Sequence, residues 1–453
     1  MMHIRSIFAR FGVVVAIFLL LVSGSNVQAD TTSSESDDSR YRKILEQMEE
    51  GFRGPIGEWH YYWHDGLRID SPEKNLTIKI NLSIMGDGGY IGANDELERA
   101  FPDLEGPNLN FRELKVSIFG TLYDWAEVKL GIDFANVQDI KDQWIRFTKV
   151  PYIGHITLGY MKEPFSLEES TSLRYITFME RALPVLAFTP GRNFGIRYHT
   201  AALDQRMTWH VGAFLNTGSF STVGESKNQI SQASGYNLTG RITYLPWYED
   251  NEKRLLHLGL SCSHQFRDPL DTRIPEQFRA RPESALTDDR LVDTGKFLTD
   301  GANLINPELA IVSGPLSFQG EYFHVFEDAG ALGKPDFLGF YLFGSYLITG
   351  ESRKYNTLDG NFSRIKPKHD FRPRLGGWGA WELTSRFSYI DLNDEWIKGG
   401  KEFDFTAGLN WYLTKKTRFM FNYIRAKVKD RERPPAVEDG SANIFQARFQ
   451  IQF

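Results

Sequence analysis

The sequence has almost no cysteine: Cys262 is the single one in 453 residues. An internal disulfide framework and a cysteine-built metal site are therefore excluded. Past Asp30 there is no uncharged apolar run of 18 residues, so no transmembrane helix is expected after that point. Basic charge is not in excess either: 52 Lys and Arg against 58 Asp and Glu give −6. A strongly basic nucleic-acid binder is thereby excluded. The patterns G-x-S-x-G, C-x-x-C, H-E-x-x-H and the P-loop are missing as well, so no cofactor and no metal are expected.

What is present is aromatic and glycine-rich, with 34 Phe, 19 Tyr, 10 Trp and 40 Gly. That content argues against disorder. A chain of this length would ordinarily be divided into two or three soluble domains, because one core stops growing at roughly 250 to 300 residues. A single large barrel escapes that limit.

Residues 1–29 read as a signal peptide. Arg5 and Arg10 supply the positive start, Phe11 to Val22 is an apolar stretch too short to span a bilayer, and Val27-Gln28-Ala29 offers a cleavage site. Removing them takes away two positive charges, so the remaining 424 residues (453 minus 29) carry 50 minus 58, or −8. Residues 30–70 are expected to form a periplasmic N-terminal segment. Tyr41, Ile44, Leu45, Met48 and Phe52 stand at helical spacing and suggest a short helix. After them, Trp59 to Gly66 is dense in aromatics. His60 and His64 could be written as an i, i+4 metal pair, but no third ligand accompanies them, and an aromatic lead-in at a barrel base is the simpler reading.

From residue 71 to 453 the dominant signal is period 2. Leu76, Ile78, Ile80, Leu82 and Ile84 alternate with Thr77, Lys79, Asn81 and Ser83, and Phe403, Phe405, Ala407, Leu409 and Trp411 alternate with Asp404, Thr406, Gly408 and Asn410. Such alternation makes strands with two unlike faces. About ten residues per segment, with Trp, Tyr and Phe crowding the segment ends, is the pattern of a membrane barrel with aromatic girdles. Sixteen segments can be counted, near 75–84, 111–121, 125–135, 142–148, 154–160, 194–200, 206–216, 235–244, 255–265, 304–312, 316–325, 337–348, 378–390, 402–412, 417–428 and 441–453. The fold class expected is all-β: a transmembrane 16-stranded antiparallel β-barrel.

Connection lengths give an independent check, since external loops are long and periplasmic turns short. The connections 85–110, 161–193 and 267–303 are long, whereas 122–124, 201–205, 313–315 and 413–416 are tight. One breaks the alternation: 349–377 is long although its parity is periplasmic, and is a candidate for folding into the pore. In the last segment Phe445, Ala447, Phe449, Ile451 and Phe453 alternate with Gln446, Arg448, Gln450 and Gln452. A closing strand ending in Phe453 looks like a signal for the barrel-assembly machinery, which places the chain in the outer membrane in contact with its lipid. A soluble edge strand with five exposed apolar residues would be an aggregation hazard.

A pore selects by charges at a constriction. The loop after the fifth strand is the natural place, mixing Glu163, Glu168, Glu169 and Glu180 with Lys162, Arg174, Arg181 and Arg192. Expected inward bases elsewhere are Lys79, Lys129, Arg146, Arg197, His199, Arg206 and Arg241, with Lys366 and Lys368 in the long periplasmic connection. These could form an anion ladder or pair with Glu127, Asp133, Glu321, Glu382 and Asp404.

The runs KEPFSLEESTS, ITFMERALP and GRNFG, with FRELKVSIFGTLYDWAEVKLGIDFAN, LITGESRKYN, WGAWELTSRFSYIDL and GLNWYLTKKTRFMFNY, resemble the phosphate-selective porin O/P family over about residues 60–453. The resemblance implies a 16-stranded barrel, usually a homotrimer, with an inserted constriction loop and an inward-reaching periplasmic connection. It also implies arginines along the path and phosphate-holding lysines. Arg112 matches one such arginine, but its neighbour is Glu113; Arg174 stands where a lysine is expected, and Glu169 where another is. Carboxylates there would repel phosphate. The expectation is therefore a porin passing small hydrophilic solutes or anions by passive diffusion, without catalysis, in preference to a dedicated phosphate channel. The alternatives are an outer-membrane barrel enzyme, which would need a Ser and His paired on adjacent strands, and an exported soluble β-sandwich adhesin.

Overall fold

In the computed structural model, which describes residues 54–56, 58–135, 139–151, 154–217, 235–249, 253–267 and 275–453, the alternating segments form one closed antiparallel barrel of sixteen strands. They are β1 (Leu76–Ala93), β2 (Gly106–Leu122), β3 (Ala126–Asp133), β4 (Asp139–Val150), β5 (Gly154–Lys162), β6 (Arg192–Ala202), β7 (Met207–Leu215) and β8 (Tyr236–Glu249). The second half comprises β9 (Arg254–Phe266), β10 (Gly301–Ser313), β11 (Leu316–Asp328), β12 (Asp336–Leu347), β13 (Ala380–Asp394), β14 (Ile397–Tyr412), β15 (Thr417–Arg431) and β16 (Val437–Gln452). Sequence neighbours are sheet neighbours, and β16 closes the ring on β1 from Ala442↔Ala93 to Gln452↔Ser83. Closure removes the edge that a long apolar strand would otherwise expose.

Each of the sixteen expected segments lies on one of these strands, but several strands run further toward the long-loop rim. Beyond Met85 the apolar alternation stops at Gly86, Gly88 and Gly89, while the backbone ladder continues through Gly88↔Leu109 and Gly89↔Asn108. The connection expected at 85–110 therefore shrinks to 94–105 and carries α1 (Asp95–Ala100), whose first turn is capped by the Asn94 side chain accepting from the Leu97 amide. The aromatic lead-in belongs to the same sheet. Strands Gly54–Ile56, Trp59–Trp63 and Leu67–Asp70 zigzag back, and the last pairs with β1 from Leu67↔Ile80 to Asp70↔Thr77. They take over the edge of β1 where β16 ends opposite Ser83. The division at residue 70 thus falls between paired strands. The signal peptide and the helical spacing at 41–52 lie outside the described residues.

The polarity of the barrel is the reverse of that of a water-soluble protein. Leu342, Phe445, Leu383 and Phe405 point outward and are 59%, 58%, 49% and 49% exposed, whereas Glu308, Arg386, Arg448 and Glu402 point inward and are buried. Such an exposed apolar surface is stable only against hydrocarbon. Along β13 and β14, the stacked pair Trp381–Trp411 near one rim is followed eight residues later by Tyr389–Phe403 near the other. Eight residues on a strand tilted by about 40° rise roughly 20 Å, close to the height of an outer-membrane apolar band.

The lumen is not an open tube. The loop 163–191, containing α2 (Leu167–Ser170) and α3 (Leu183–Phe188), and the segment 275–300 both fold inside. Phe188 packs edge-on against Phe278 at 5.5 Å, and Phe278 against Phe337 of β12 at 5.6 Å. Apolar residues of both loops and of β10–β16 thus make a dry plug against one wall. The inward fold of 275–300 was not expected from the sequence, although Phe278, Leu286, Leu291, Val292 and Phe297 are poor choices for a loop in water.

Candidate functional site

With one side of the lumen plugged, the water-filled path runs along the other wall. A cavity of about 370 Å³ lies between the loop 163–191 and strands β2–β8. Its bases are Lys115, Lys129, Lys141, Arg146, Arg197 and Arg241 from the wall, with Arg112, Lys162, Arg174, Arg181 and Arg192 at or on the inserted loop. Its acids are Glu113, Asp133, Asp142, Glu163 and Asp359. Eleven bases face five acids. Asp142 is shared by three of them, with Lys129 at 2.8 Å, Arg192 at 3.1 Å and Lys115 at 3.4 Å. Arg174 and Arg197 have no ion-pair partner among the described residues, and Nε of Arg197 has no hydrogen-bond partner there.

A bulge places the first of these bases. Met85 pairs with Glu113 and Gly86 with Phe111, leaving Arg112 as the extra residue on β2. Adjacent residues on a regular strand point to opposite faces; the bulge lets both Arg112 and Glu113 line the lumen.

The inserted loop is held from below by side chains of the last four strands. Asn410 donates to the Thr177 carbonyl at 2.8 Å, Arg418 to that of Ile176 at 2.9 Å and Arg448 to that of Met179 at 2.5 Å; Asn422 accepts from the Met179 amide at 2.9 Å. Glu180 accepts from Arg112 at 2.6 and 3.0 Å and from Arg448 at 2.8 Å, while Arg448 forks onto Asp87 at 2.6 and 2.7 Å. Burial would raise the Glu180 carboxyl, but Arg112 and Arg448 hold it well below the usual carboxylate range. Glu168 caps α3 through the Ala182 amide at 2.9 Å and meets Arg386 at 3.3 Å. Glu321 accepts from the amides of Leu167 and Glu168 at 3.0 and 2.8 Å. On β12, Gly339 leaves room for α3: a Cβ there would lie 2.8 Å from Cβ of Pro184 and 2.8 Å from the Tyr389 carbonyl oxygen.

A second cavity of about 300 Å³ opens toward the short-turn rim, lined by Arg68, Lys79, Arg364 and Lys416 with one acid side chain, Asp65. The two cavities have Arg174 and Tyr175 in common, so these residues form the partition between them. Arg364, from the long periplasmic connection, forks onto Asp65 at 3.1 and 3.3 Å and donates to the Tyr175 hydroxyl at 3.1 Å. Burial would raise Asp65, but Arg364, Lys79 and Lys416 hold it below the usual range.

Of the residues singled out in the sequence, Arg112, Lys162, Arg174, Arg181, Arg192 and Arg197 meet in the first cavity. Glu168, Glu169 and Glu180 are turned away from it: Glu169 is taken up by Lys162 at 2.9 Å and Arg181 at 2.8 Å, and the other two face the wall. Lys366 and Lys368 are exposed and line neither cavity. The connection reaches inward instead with Asn356, Asp359, Asn361, Ser363 and Arg364. Arg206 sits exposed in the turn after β6 rather than in the lumen. Arg386, Asn410, Arg418, Asn422 and Arg448, which grip the loop, went unmarked in the sequence; their only signal was a polar side chain at an inward position of the period-2 pattern.

Known proteins place this arrangement. The family model described as phosphate-selective porin O and P matches residues 94–453. An uncharacterized protein of Caulobacter vibrioides is 28% identical over 400 residues, covering 86% of this chain and 76% of the relative. Porin O of Pseudomonas aeruginosa is 23% identical over 428 residues, covering 86% of this chain and 91% of that one. In fold, the chain is similar to OmpT of Vibrio cholerae in its trimer form, with a TM-score of 0.50 at 9% identity over 83% of this chain and 99% of the other. With a sixteen-stranded barrel, a loop drawn into its lumen and a family match over most of its length, the chain belongs to the phosphate-selective porin O and P family of outer-membrane channels.

Proposed function

We propose that this channel passes small hydrophilic solutes by passive diffusion and prefers anions to cations, without being dedicated to phosphate. The observation that carries the reading is that Arg174 and Arg197 line the first cavity with no ion-pair partner among the described residues, whereas most of the other lining bases are matched by carboxylates. Fixed charges in a narrow lumen with low-dielectric walls concentrate the opposite ion. Arg174 and Arg197, without carboxylate partners among the described residues, are the side chains with most charge to offer a passing anion. Glu113 argues for weak selection, since it stands in the path beside Arg112. Glu169 adds no repulsion, being matched by two bases.

The same reading includes export by a signal peptide removed after Ala29, insertion through the strand ending at Phe453, and assembly as a homotrimer; the similar OmpT of Vibrio cholerae is described in a trimer form. The test is single-channel recording in planar bilayers. Ohmic steps in chloride, reduced only by millimolar phosphate, are expected. Block by micromolar phosphate would establish a phosphate channel instead, and absence of any conductance would refute a pore.

A further inference from the structure

The lipid-facing wall carries one feature that solute passage does not use. On the outward face of β14 and β15, near the long-loop rim, the registers Phe405↔Arg425, Phe403↔Lys427 and Lys401↔Lys429 bring four bases onto one patch. Among the described residues the acids that stand with them are Asp391, Asp439 and Asp430, the last adjoining Lys429 in sequence and lying close to Tyr389. Asp391 pairs with Lys401 at 3.1 Å, and Asp439 is the cross-strand neighbour of Lys429. Arg425 spends one bond on the Ser441 hydroxyl at 3.1 Å, and Lys427 has no hydrogen bond or ion pair among the described residues. Arg425 is level with Phe387 and Phe405, within the aromatic belt. A cation at that depth on a lipid-facing wall needs a counter-charge supplied by the membrane itself.

Directly toward the membrane centre from Arg425, the same wall opens a trough of about 490 Å³. Tyr423, Phe421 and Phe445 wall it, and the small residues Ala407 and Ala447 lower its floor. An apolar trough with cations at its outer end matches a molecule having a hydrocarbon tail and an anionic head. We infer that this face holds a lipid with a phosphorylated headgroup from the outer leaflet, its acyl chain in the trough and its phosphate against Arg425 and Lys427. Phosphate accepts charge-assisted bonds from Arg well, and a base near an anionic headgroup contributes roughly a fivefold gain in affinity. The inference rests on the barrel lying in the outer membrane, not on which solute it passes.

The test uses the purified full-length protein in detergent, with native mass spectrometry counting bound phosphatidic acid. Retention of phosphatidic acid over phosphatidylcholine is expected. The double variant Arg425→Gln, Lys427→Gln should weaken retention on the order of 25-fold, and Ala447→Phe should weaken long-chain but not dihexanoyl phosphatidic acid. Both variants should keep wild-type single-channel conductance, which shows that the barrel is folded. Equal retention of the two lipids would overturn the inference, as would complete displacement by equimolar inorganic phosphate. So would a change of oligomeric state in the double variant, because the face would then be an interface between copies of the chain.

Discussion

Replacing Glu180 by Gln tests at once how the inserted loop is held and how the lumen is charged. The carboxylate, buried together with Arg448, accepts from Arg112 and Arg448 and has Arg281 3.8 Å away. Glutamine keeps the size and one acceptor but leaves three guanidinium groups without the shared negative charge. Breaking a buried pair costs about 3–5 kcal/mol. The lower end applies, about 3 kcal/mol, because Arg448 keeps its fork to Asp87 and Arg112 borders the cavity. The loop should therefore leave the wall part of the time, visible as flicker in single-channel records. Arg112 is at the same time released toward the path. A unit of charge roughly 8 Å from a passing ion in water is worth about 0.5 kcal/mol before screening. At about 0.1 M salt, roughly half of that survives. The anion-to-cation permeability ratio should rise about twofold to threefold, read from the reversal potential. A quiet channel with unchanged selectivity would refute both the clamp and the charge assignment; a shift toward cations would refute the second alone.

Three further substitutions separate parts of the same arrangement. Arg197→Gln removes an unpaired cavity cation and should lower the anion-to-cation ratio about twofold with no change in heat resistance on denaturing gels. Gly339→Leu drives a side chain into Pro184 and the Tyr389 carbonyl, costing about 1–3 kcal/mol of loop docking and widening the distribution of conductance states; a single sharp conductance would show that α3 does not rest there. Arg241→Met takes from buried Glu308 the guanidinium that grips it at 2.8 and 2.7 Å, leaving it Ser261 and His257, and should destabilise the barrel by about 3 kcal/mol in a urea titration of the unfolding equilibrium in liposomes, whereas Arg241→Met with Glu308→Leu should recover most of it.

The barrel was legible because period 2 over ten residues is a property of single strands, and every strand of a membrane barrel must alternate against lipid on one side. Its ends were less legible: Gly86, Gly88 and Gly89 have no side chains to alternate, so β1 was read as ending at 84. The site was legible only in part. The loop 163–191 could be seen to hold charges, but whether Glu168 and Glu180 face water or wall is decided by Arg386 and Arg448, more than 200 residues away. The neighbours Arg112 and Glu113 should point to opposite sides of a regular strand, and nothing in the local pattern announces the bulge that turns both inward. Lys366 and Lys368 were singled out by charge alone, yet the backbone of 349–377 presents Arg364 and Asp359 to the cavities and leaves the two lysines outside.

The most direct measurement is the zero-current potential of the purified channel in a planar bilayer under a tenfold KCl gradient. With Arg174 and Arg197 unpaired beside the path among the described residues, chloride should carry more of the current than potassium, giving a potential of the anion-selective sign that weakens as total salt is raised. A potential of the opposite sign, or one that does not respond to salt, would contradict the claim that these side chains set what passes.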